Sequence, residues 1–585
     1  MNSSVPANGP EGVFFDWHSI DWAECEESVR RLRRRIFKAT QEGDLKKVRN
    51  LQKLMLRSLS NTLVSVKRVT QQSAGRKTAG IDGKVALTPK ERGQLAAEIQ
   101  QSATPWKAQP VKRVYIPKSN GKQRPLGIPV IRDRALQARV KNALEPEWEA
   151  RFEPRSYGFR PGRGCHDAIE AIYKAMARKG STRLWVLDAD LAAAFDRINH
   201  DRLMGVLGQF PGRDLVRGWL KSGVMEKGRF APTEEGTPQG GVISPLLMNV
   251  ALHGMEEAAG CRYVGNGSLP EPRTARDSPV LVRYADDFVA LCHSESDAYQ
   301  VKDRLEQWLE PRGLRFNGDK TRIVHATQGF DFLGFNLRRY GSKLLVKPSK
   351  SAIKRVRERL RVEVKALYGA NAEAVRRKLS PIIRGWAAYY RTVVASEVFT
   401  ALDDYVWKLV YKWAKHTHPK KPKYWIIKSY FGQFNKSRQD QWVFGDRTSG
   451  AFLVKFAWTK IVRHVLIKAG ASPDDPSLTE YWESRRRKKA PPPMDKTSLL
   501  LAVRQKGLCP LCRQALIVGA EYEPDSPREW IEWFAASKKM LNKHHFVYRR
   551  DGGADNRTNL RLVHADCHRQ HHASDGKRPR EQEPA

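Results

Sequence analysis

Three acids carry the most specific chemistry in this chain. In Leu281-Val282-Arg283-Tyr284-Ala285-Asp286-Asp287-Phe288-Val289-Ala290-Leu291-Cys292, two apolar runs flank an adjacent acidic pair. Val280, Val282 and Tyr284 alternate on one side, and Phe288, Ala290 and Cys292 on the other. That spacing predicts strand, turn, strand, with Asp286 and Asp287 at the tip. An Asp-Asp pair alone is an ordinary surface turn. A third acid changes the balance: Leu184 to Leu191 is a second apolar strand that carries Asp190 near its end. If the two strands are neighbours, all three acids meet at one sheet edge. Two carboxylates ~4 Å apart repel by about 4 kcal/mol at an effective dielectric of 20, and no lysine lies nearby to neutralise them. A bound cation is therefore favoured. Oxygen-only ligands and a need to clamp phosphates point to Mg²⁺, and three carboxylates around two metals suit in-line phosphoryl transfer.

The tail holds a different chemistry. Cys509-Pro510-Leu511-Cys512 and His564-Ala565-Asp566-Cys567 have the short intra-pair spacing of a four-ligand Zn²⁺ site. A lone Cys-x-x-Cys could be a redox pair; the second pair makes structural zinc the better reading. The other four cysteines, Cys25, Cys165, Cys261 and Cys292, are scattered and read as reduced core residues.

The elements that must position these groups can be followed in chain order. Trp22 to Leu59 reads as helix, with Val29, Leu32, Ile36, Leu45, Val48, Leu51 and Leu54 near helical spacing. Arg30, Arg31, Arg33, Arg34 and Arg35 lie on its other side, a face for solvent or RNA. A strand ending at Ile116, an Asn120-Gly121 turn and a second strand form a hairpin flanked by Lys118 and Arg124, residue types that grip a triphosphate. Arg155 to Ile169 is a basic Gly/Pro loop entering a helix, the kind of N-terminus that binds phosphate. Thr237 to Leu246 is a Gly-rich turn before an apolar helix, and residues 260–279 form a polar insertion. Gly313 to Thr321 and Phe330 to Phe335 are expected to close the sheet. Residues 350–480 are helical and basic, with a stripe at Phe399, Leu402, Val406, Leu409, Val410 and Trp413 that reads as core. Arg485 to Pro493 reads as a charged, stiff linker.

With 104 Lys+Arg against 63 Asp+Glu, the net charge is +41 over 585 residues, spread along the chain, so the partner is a polyanion. The length allows three or four domains, and 16 Trp can furnish a large core. No 18-residue apolar run exists and Met1–Pro10 lacks a signal pattern, so the expectation is a soluble, cytoplasmic protein with no membrane partner.

The ordered set Arg124-Pro-Leu-Gly-Ile-Pro129, Tyr157-Gly-Phe-Arg-Pro161, Asp190 with Phe195-Asp196, Pro238-Gln-Gly240, Tyr284-Ala-Asp-Asp287 and Phe332-Leu-Gly334 resembles the reverse transcriptases encoded by bacterial group II introns. Ala192-Ala193-Ala194 replaces the polar and Gly residues more usual there. Leu379 to Tyr390 resembles the same family's maturase or thumb domain, and the tail resembles an HNH nuclease. The resemblance implies an α+β chain: a right-hand polymerase with fingers, an antiparallel palm and a helical thumb, followed by a small zinc-containing ββα-metal HNH domain. It implies that Asp190 and Asp286 hold two Mg²⁺, with Asp287 in support. The implied nucleotide-binding residues are Lys118, Arg124, Phe195 (a steric gate against a 2′-hydroxyl), Gln239 (near the templating pair) and Lys320. In the tail it implies a catalytic metal on His544, His568 and His572, with His571 competing for the last place, His545 as general base and Asn559 orienting it.

The domains so implied are 1–105 (N-terminal extension and start of fingers), 106–345 (fingers and palm), 346–415 (thumb/maturase), 416–490 (DNA-binding region and linker) and 491–585 (endonuclease). The expected function is reverse transcription, intron splicing and DNA nicking, with intron RNA, target DNA and dNTPs as partners. A splicing-only maturase with a relic polymerase and a defence- or CRISPR-associated reverse transcriptase stand as rivals. The intact acids argue against the first, and the maturase-like helices and tail against the second. The site of action would be the bacterial cytoplasm, at the nucleoid when DNA is the target.

Overall fold

The computed structural model describes residues 15–101, 106–117, 123–264, 273–435, 438–488, 496–513, 516, 526–528, 541–548, 551–565, 567–568 and 571–572. The long N-terminal helix expected from periodicity is three helices, α1 (Trp22–Gln41), α2 (Leu45–Arg57) and α3 (Leu59–Lys67). Gly43 at φ +74° ends the first, and Asp44 starts the second by accepting from the Lys47 amide. Ser58 does the same for α3, accepting from Asn61. Glycine stop and polar N-cap together outweigh the continuing apolar spacing. A fourth helix, α4 (Pro89–Gln101), leads to strands β1 (Val111–Pro117) and β2 (Gln123–Ile128), then to α5 (Ile131–Glu149). Ile36, Leu51, Leu63, Val140 and Leu144 pack in one core, which joins the N-terminal helices to α5.

After α6 (Cys165–Met176), strand β3 (Trp185–Asp190) begins the central sheet. Two short strands, β4 (Val224–Glu226) and β5 (Arg229–Ala231), extend the first hairpin into a sheet ordered β2-β1-β4-β5. The insertion forms the small pair β6 (Tyr263–Val264) and β7 (Arg273–Thr274). Strands β8 (Val280–Tyr284), β9 (Asp287–Cys292) and β10 (Arg322–His325) complete the central sheet in the order β10-β3-β9-β8. It is buried on both faces. Leu187, Ala189, Leu281, Phe288 and Ala290 join the core shared with α5, while Val186, Val280, Val282, Val289 and Leu291 join a second core with α6. The strand alternation read from sequence is thus an alternation between two cores.

Phe330 to Phe335, expected to close this sheet, does not, because β10 takes that edge. Phe330–Phe332 is instead strand β11, pairing with β12 (Phe335–Tyr340) and β13 (Lys343–Pro348) in a separate sheet. Helices Lys350–Lys365, Ala372–Tyr390 and Ser396–Thr417 follow. Phe399, Leu402, Val406, Val410 and Trp413 are buried, as the stripe predicts, and Leu409 is partly so. In the tail, Leu541–His545 pairs antiparallel with Leu560–His564. Among the described residues no helix is long and apolar enough to cross a membrane.

Several arginines expected to face nucleic acid hold the fold instead. Arg33 grips Asp474 at 2.8 and 2.7 Å and Glu145 at 2.9 Å. Arg160, buried, donates to Glu149 and to the carbonyls of Glu153 and Ser156, and Arg163 binds the carbonyls of Pro154, Ala469 and Ala471. The N-terminus of α6 is occupied by its own Asp167, which accepts from Gly164, His464, Ile467 and Arg485. Arg485 sits on helix Thr479–Lys488, so the segment read as linker starts inside a folded element; residues 489–495 lie outside the described ones. Arg33→Ala leaves Asp474 buried without its cation and Glu145 with Lys141 alone. It should cost about 3 kcal/mol, visible as a lower first transition in thermal unfolding.

Candidate active sites for polymerisation and DNA cleavage

The register of the central sheet brings the acids together. β3 pairs with β9 so that Asp190 faces Asp287, and β8 pairs with β9 so that Tyr284 also faces Asp287. Ala285 and Asp286 therefore form a two-residue turn. Ala285 has φ +57°, a left-handed conformation that costs a residue with a Cβ roughly 1–2 kcal/mol. Its close neighbour is Gly158, whose hypothetical Cβ would lie 2.4 Å from the Ala285 nitrogen, so only glycine lets the two backbones meet.

A lysine pairs with the third acid, Asp190. Lys320 Nζ lies 2.6 Å from Asp190 Oδ2, and Asn317 Nδ2 donates to the same oxygen at 3.2 Å. The Asn317 amide holds the Asp190 carbonyl at 2.8 Å. Lys320, expected to meet the nucleotide, is here the counterion of Asp190, and that bond raises its pKa. One lysine does not balance three carboxylates. Burial raises Asp286, with Asp190 adding repulsion, and raises Asp287 far more, with Asp286 and Asp190 as the next causes. Oxygen donors crowded at one sheet edge, with Asp286 and Asp287 both raised, fit a hard divalent cation.

The residues around the acids are tied to one another. Phe195 is half-buried and meets Phe159 edge-on at 6.2 Å between ring centroids. The Thr237 amide donates to the Phe195 carbonyl at 2.5 Å, and Gln239 Nε2 to Asp196 at 3.1 Å. The Gly127 amide bonds the Gln239 carbonyl at 2.7 Å, which ties the Gly-rich loop to β2. Arg124 is exposed on β2, within electrostatic reach of Asp286. Lys118 lies outside the described residues.

In the tail the ligand atoms of Cys509, Cys512, His564 and Cys567 lie within 4.8 Å of one another, all four residues buried. His564 Nδ1 is 3.3 Å from Cys512 Sγ and 3.6 Å from Cys567 Sγ. Burial alone would lower the His564 pKa, but its bonds to Cys509 and Cys512 push it up to about 10. A thiolate-rich tetrad of this kind fits zinc, which must displace that proton, so loading should weaken in acid. A second group, His544, His568 and His572, also has its ligand atoms within 4.8 Å. The His571 ring stands 4.9 Å from His544 but is not in that group. His544 is pulled down to about 4 by burial and by His571, His568 and His572, which leaves it neutral as a metal ligand requires.

Asn559 does not touch His545, as expected of it. It bonds both the amide and the carbonyl of Val547 and the Ala554 carbonyl, and so stitches the loop between the two strands. The side chain bonded to His545 Nε2 is Asp555. Asp555 and Asn317 were missed in the sequence. Each stands a few residues from a recognised position, Asn559 and Lys320, in a turn whose closure local pattern does not reveal.

The acid-bearing sheet edge fits phosphoryl transfer and the tail a separate metal-binding module, and the chain's relatives identify the class: a reverse transcriptase joined to a small nuclease. Residues 116–337 match the family model of the reverse transcriptase (RNA-dependent DNA polymerase), and 17–99 that of the N-terminal domain of reverse transcriptase. Residues 353–431 match the group II intron maturase-specific domain, and 533–574 the HNH endonuclease. The protein YkfC of Escherichia coli (strain K12) is 36% identical over 313 residues, covering 48% of this chain and 81% of that protein. The group II intron-encoded protein LtrA of Lactococcus lactis subsp. cremoris is 31% identical over 285 residues, 39% of this chain and 47% of its own length. An apo telomerase from Candida tropicalis aligns over 42% of this chain and 56% of its own, with 15% identity and a TM-score of 0.30. The chain belongs to the group II intron-encoded reverse transcriptase/maturase family, with a C-terminal HNH endonuclease domain.

Because burial and mutual repulsion raise Asp286 and Asp287, the folded state favours their protonated forms. Their contribution to stability is fully present below the ordinary carboxylate range and lost as pH rises through the raised values. Asp286→Asn should therefore stabilise the metal-free protein at neutral pH by on the order of 1 kcal/mol, and raise its thermal midpoint most at alkaline pH. If Phe195 is the steric gate that the family resemblance implies, Phe195→Ala should relax discrimination against ribonucleotides by about tenfold or more in competition primer extension. An unchanged ratio would leave Phe195 a packing residue against Phe159.

Proposed function

We propose that this chain promotes splicing of its own intron RNA, nicks one strand of a DNA target and copies the inserted RNA from the new 3′-hydroxyl. One observation carries the reading: the polymerase acids and the nuclease histidines are both assembled in a chain that also matches the maturase domain. A relic polymerase would be free to lose the first, and a defence reverse transcriptase has no use for the last two together.

Asp190 and Asp286 would hold two Mg²⁺, with Asp287 in support. Bound there, the ions would activate the primer hydroxyl and offset charge on the leaving phosphate. Lys118 and Arg124 would take the triphosphate, Arg by its fork and Lys as a point charge. Phe195 would exclude the 2′-hydroxyl, and Gln239, held by Asp196, would lie near the templating pair. Lys320 would leave Asp190 for the nucleotide once a cation replaces it. In the tail, His544, His568 and His572 would hold the nuclease metal, and His545, oriented by Asp555, would take a proton from water. Asn559 would act through the loop it stitches. Cys509, Cys512, His564 and Cys567 would hold a structural Zn²⁺. Domain limits at 106–345, 346–415, 416–490 and 491–585 follow from these assignments, and the cytoplasm, at the nucleoid, is where intron RNA, dNTPs and target DNA meet.

Purified protein bound to its intron RNA tests the scheme. Asp286→Asn should lower cDNA synthesis by about a thousandfold, equivalent to ~4 kcal/mol, with splicing and nicking intact. His545→Ala should stop nicking and retain zinc, whereas Cys512→Ser should lose both by unfolding the module. Native-rate nicking by His545→Ala would overturn the endonuclease assignment and leave the tail a zinc-bound DNA-binding element.

A further inference from the structure

We propose that Arg283 and Asn249 are positioning residues for the polymerase, holding the strained turn that presents Asp286 and Asp287 to the metals. Arg283 is 1% exposed, yet it carries a full charge three residues before Asp286. Its Nη1 donates to the Ala285 carbonyl at 3.2 Å and to Asn249 Oδ1 at 3.0 Å, and its Nη2 to Ser156 Oγ at 2.7 Å. Asn249 Nδ2 in turn donates to the Gly158 carbonyl at 2.8 Å. Gly158 is the residue whose backbone abuts Ala285. The contacts close a ring: Arg283 to the Ala285 carbonyl, Ala285 against Gly158, Gly158 to Asn249, and Asn249 back to Arg283.

The main chain adds a second tie. The Arg283 amide donates to the Arg155 carbonyl at 3.0 Å and the Tyr157 amide to the Arg283 carbonyl at 2.9 Å, so residues 155–157 run beside β8 and cannot drift from the turn. Glu153, with an oxygen 4.0 Å from Nη2, supplies the opposite charge. A residue kept only to fill volume would be apolar, since an aliphatic side chain of similar size avoids the desolvation of a guanidinium. What the guanidinium adds is several donors in a fixed fork, one of them ending on the carbonyl of the left-handed residue itself. If that carbonyl is released, Ala285 can relax toward ordinary φ, and the Asp286 carboxylate turns away from Asp190 with its chemistry unchanged. The effect should therefore fall on metal affinity rather than on nucleotide contact.

The inference rests on Asp286 and Asp287 being metal ligands, and the experiment separates the two claims. Full-length Arg283→Lys keeps the charge and loses the fork; Asn249→Ala breaks the ring from its other side. Each variant is titrated with Mg²⁺ and read in two ways: the rate of primer extension, and the part of the Mg²⁺-induced rise in thermal midpoint that Asp286→Asn abolishes. Both half-points should move about tenfold or more to higher Mg²⁺ in each variant, the usual effect of losing a residue that orients a ligand. The KM for dNTP at saturating Mg²⁺ should stay near native. The double variant should be little worse than the poorer single one, because the two act through one ring. A reduced rate with an unchanged Mg²⁺ half-point would make Arg283 a merely structural residue and overturn the proposal. So would a native Mg²⁺ response in Asn249→Ala, the variant that decides should Arg283→Lys not fold. If Asp286→Asn itself left the Mg²⁺ response unchanged, the ligand assignment would fail instead.

Discussion

Mutual repulsion among Asp190, Asp286 and Asp287 is the constraint on which the polymerase half of the molecule depends. No chain places three carboxylates in one half-buried notch unless the backbone is held there against their field. Here the holding is done by register. Antiparallel pairing fixes Asp190 opposite Asp287, and a slip of one residue would exchange the faces of every side chain on β9. Such a slip would force both cores to repack, because it would exchange Phe288 and Ala290 with Val289 and Leu291, side chains of different size and shape. The two cores thus serve as the clamp that makes a strained, charge-crowded edge tolerable. Lys320 and Asn317 bond Asp190, and Lys320 offsets the field at Asp286 and Asp287 only in part, so the site remains receptive to cations.

The same economy explains the arginines. A net charge of +41 identifies a polyanionic partner correctly as a class, but residue type does not say which cations face it. Arg33 joins the N-terminal helices, α5 and the Asp474 segment, and Arg160, Arg163 and Arg283 bind carbonyls and carboxylates inside the protein. These are positions where a planar, multi-donor cation satisfies several buried acceptors at once. Asp167 performs the mirror role, gathering His464, Ile467 and Arg485 onto the start of α6. Segments some 300 residues apart in sequence are held by such pairs, so the C-terminal elements are built into the polymerase.

What could be read from the sequence divides along that line. Asp190, Asp286 and Asp287 were legible because strand alternation is local and only one pairing brings the acids together. The cysteine tetrad was legible because metal geometry forces short spacing. The break at Gly43-Asp44 was visible in composition but outweighed by periodicity that continues across it. Lys320 opposite Asp190, the inward turn of Arg160 and Arg163, and the pairing of Phe330–Phe332 with β12 were not legible. Lys320 and Arg163 are decided by partners more than a hundred residues away, Arg160 by a loop that folds back on Glu149, and Phe330–Phe332 by which strand first takes a sheet edge. Asp555 escaped for a different reason: the loop that returns it to His545 is set by the three bonds of Asn559, an ordinary asparagine in any local pattern.

Three donor sets in one chain raise the problem of each attracting the wrong ion, and their compositions resolve it. The palm offers only carboxylate oxygens, which suit hard cations that keep part of their water. The Cys509, Cys512, His564 and Cys567 tetrad offers soft sulfur and one imidazole, buried and complete at four ligands, so it has no position left for a substrate. The His544, His568 and His572 set offers three nitrogens and stops there, with His544 held neutral by burial and by its neighbours. On a metal held there, three protein ligands would leave coordination sites open, as a catalytic centre needs and a structural one must avoid. Ligand number thus separates the two tail sites, and ligand hardness separates both from the palm. A soft ion drawn to the tail finds four donors already arranged in the tetrad, whereas the acid edge gains little from it. The chemistry of each site is therefore set by donor type before any ion arrives, and the fold's task is to keep the sets apart.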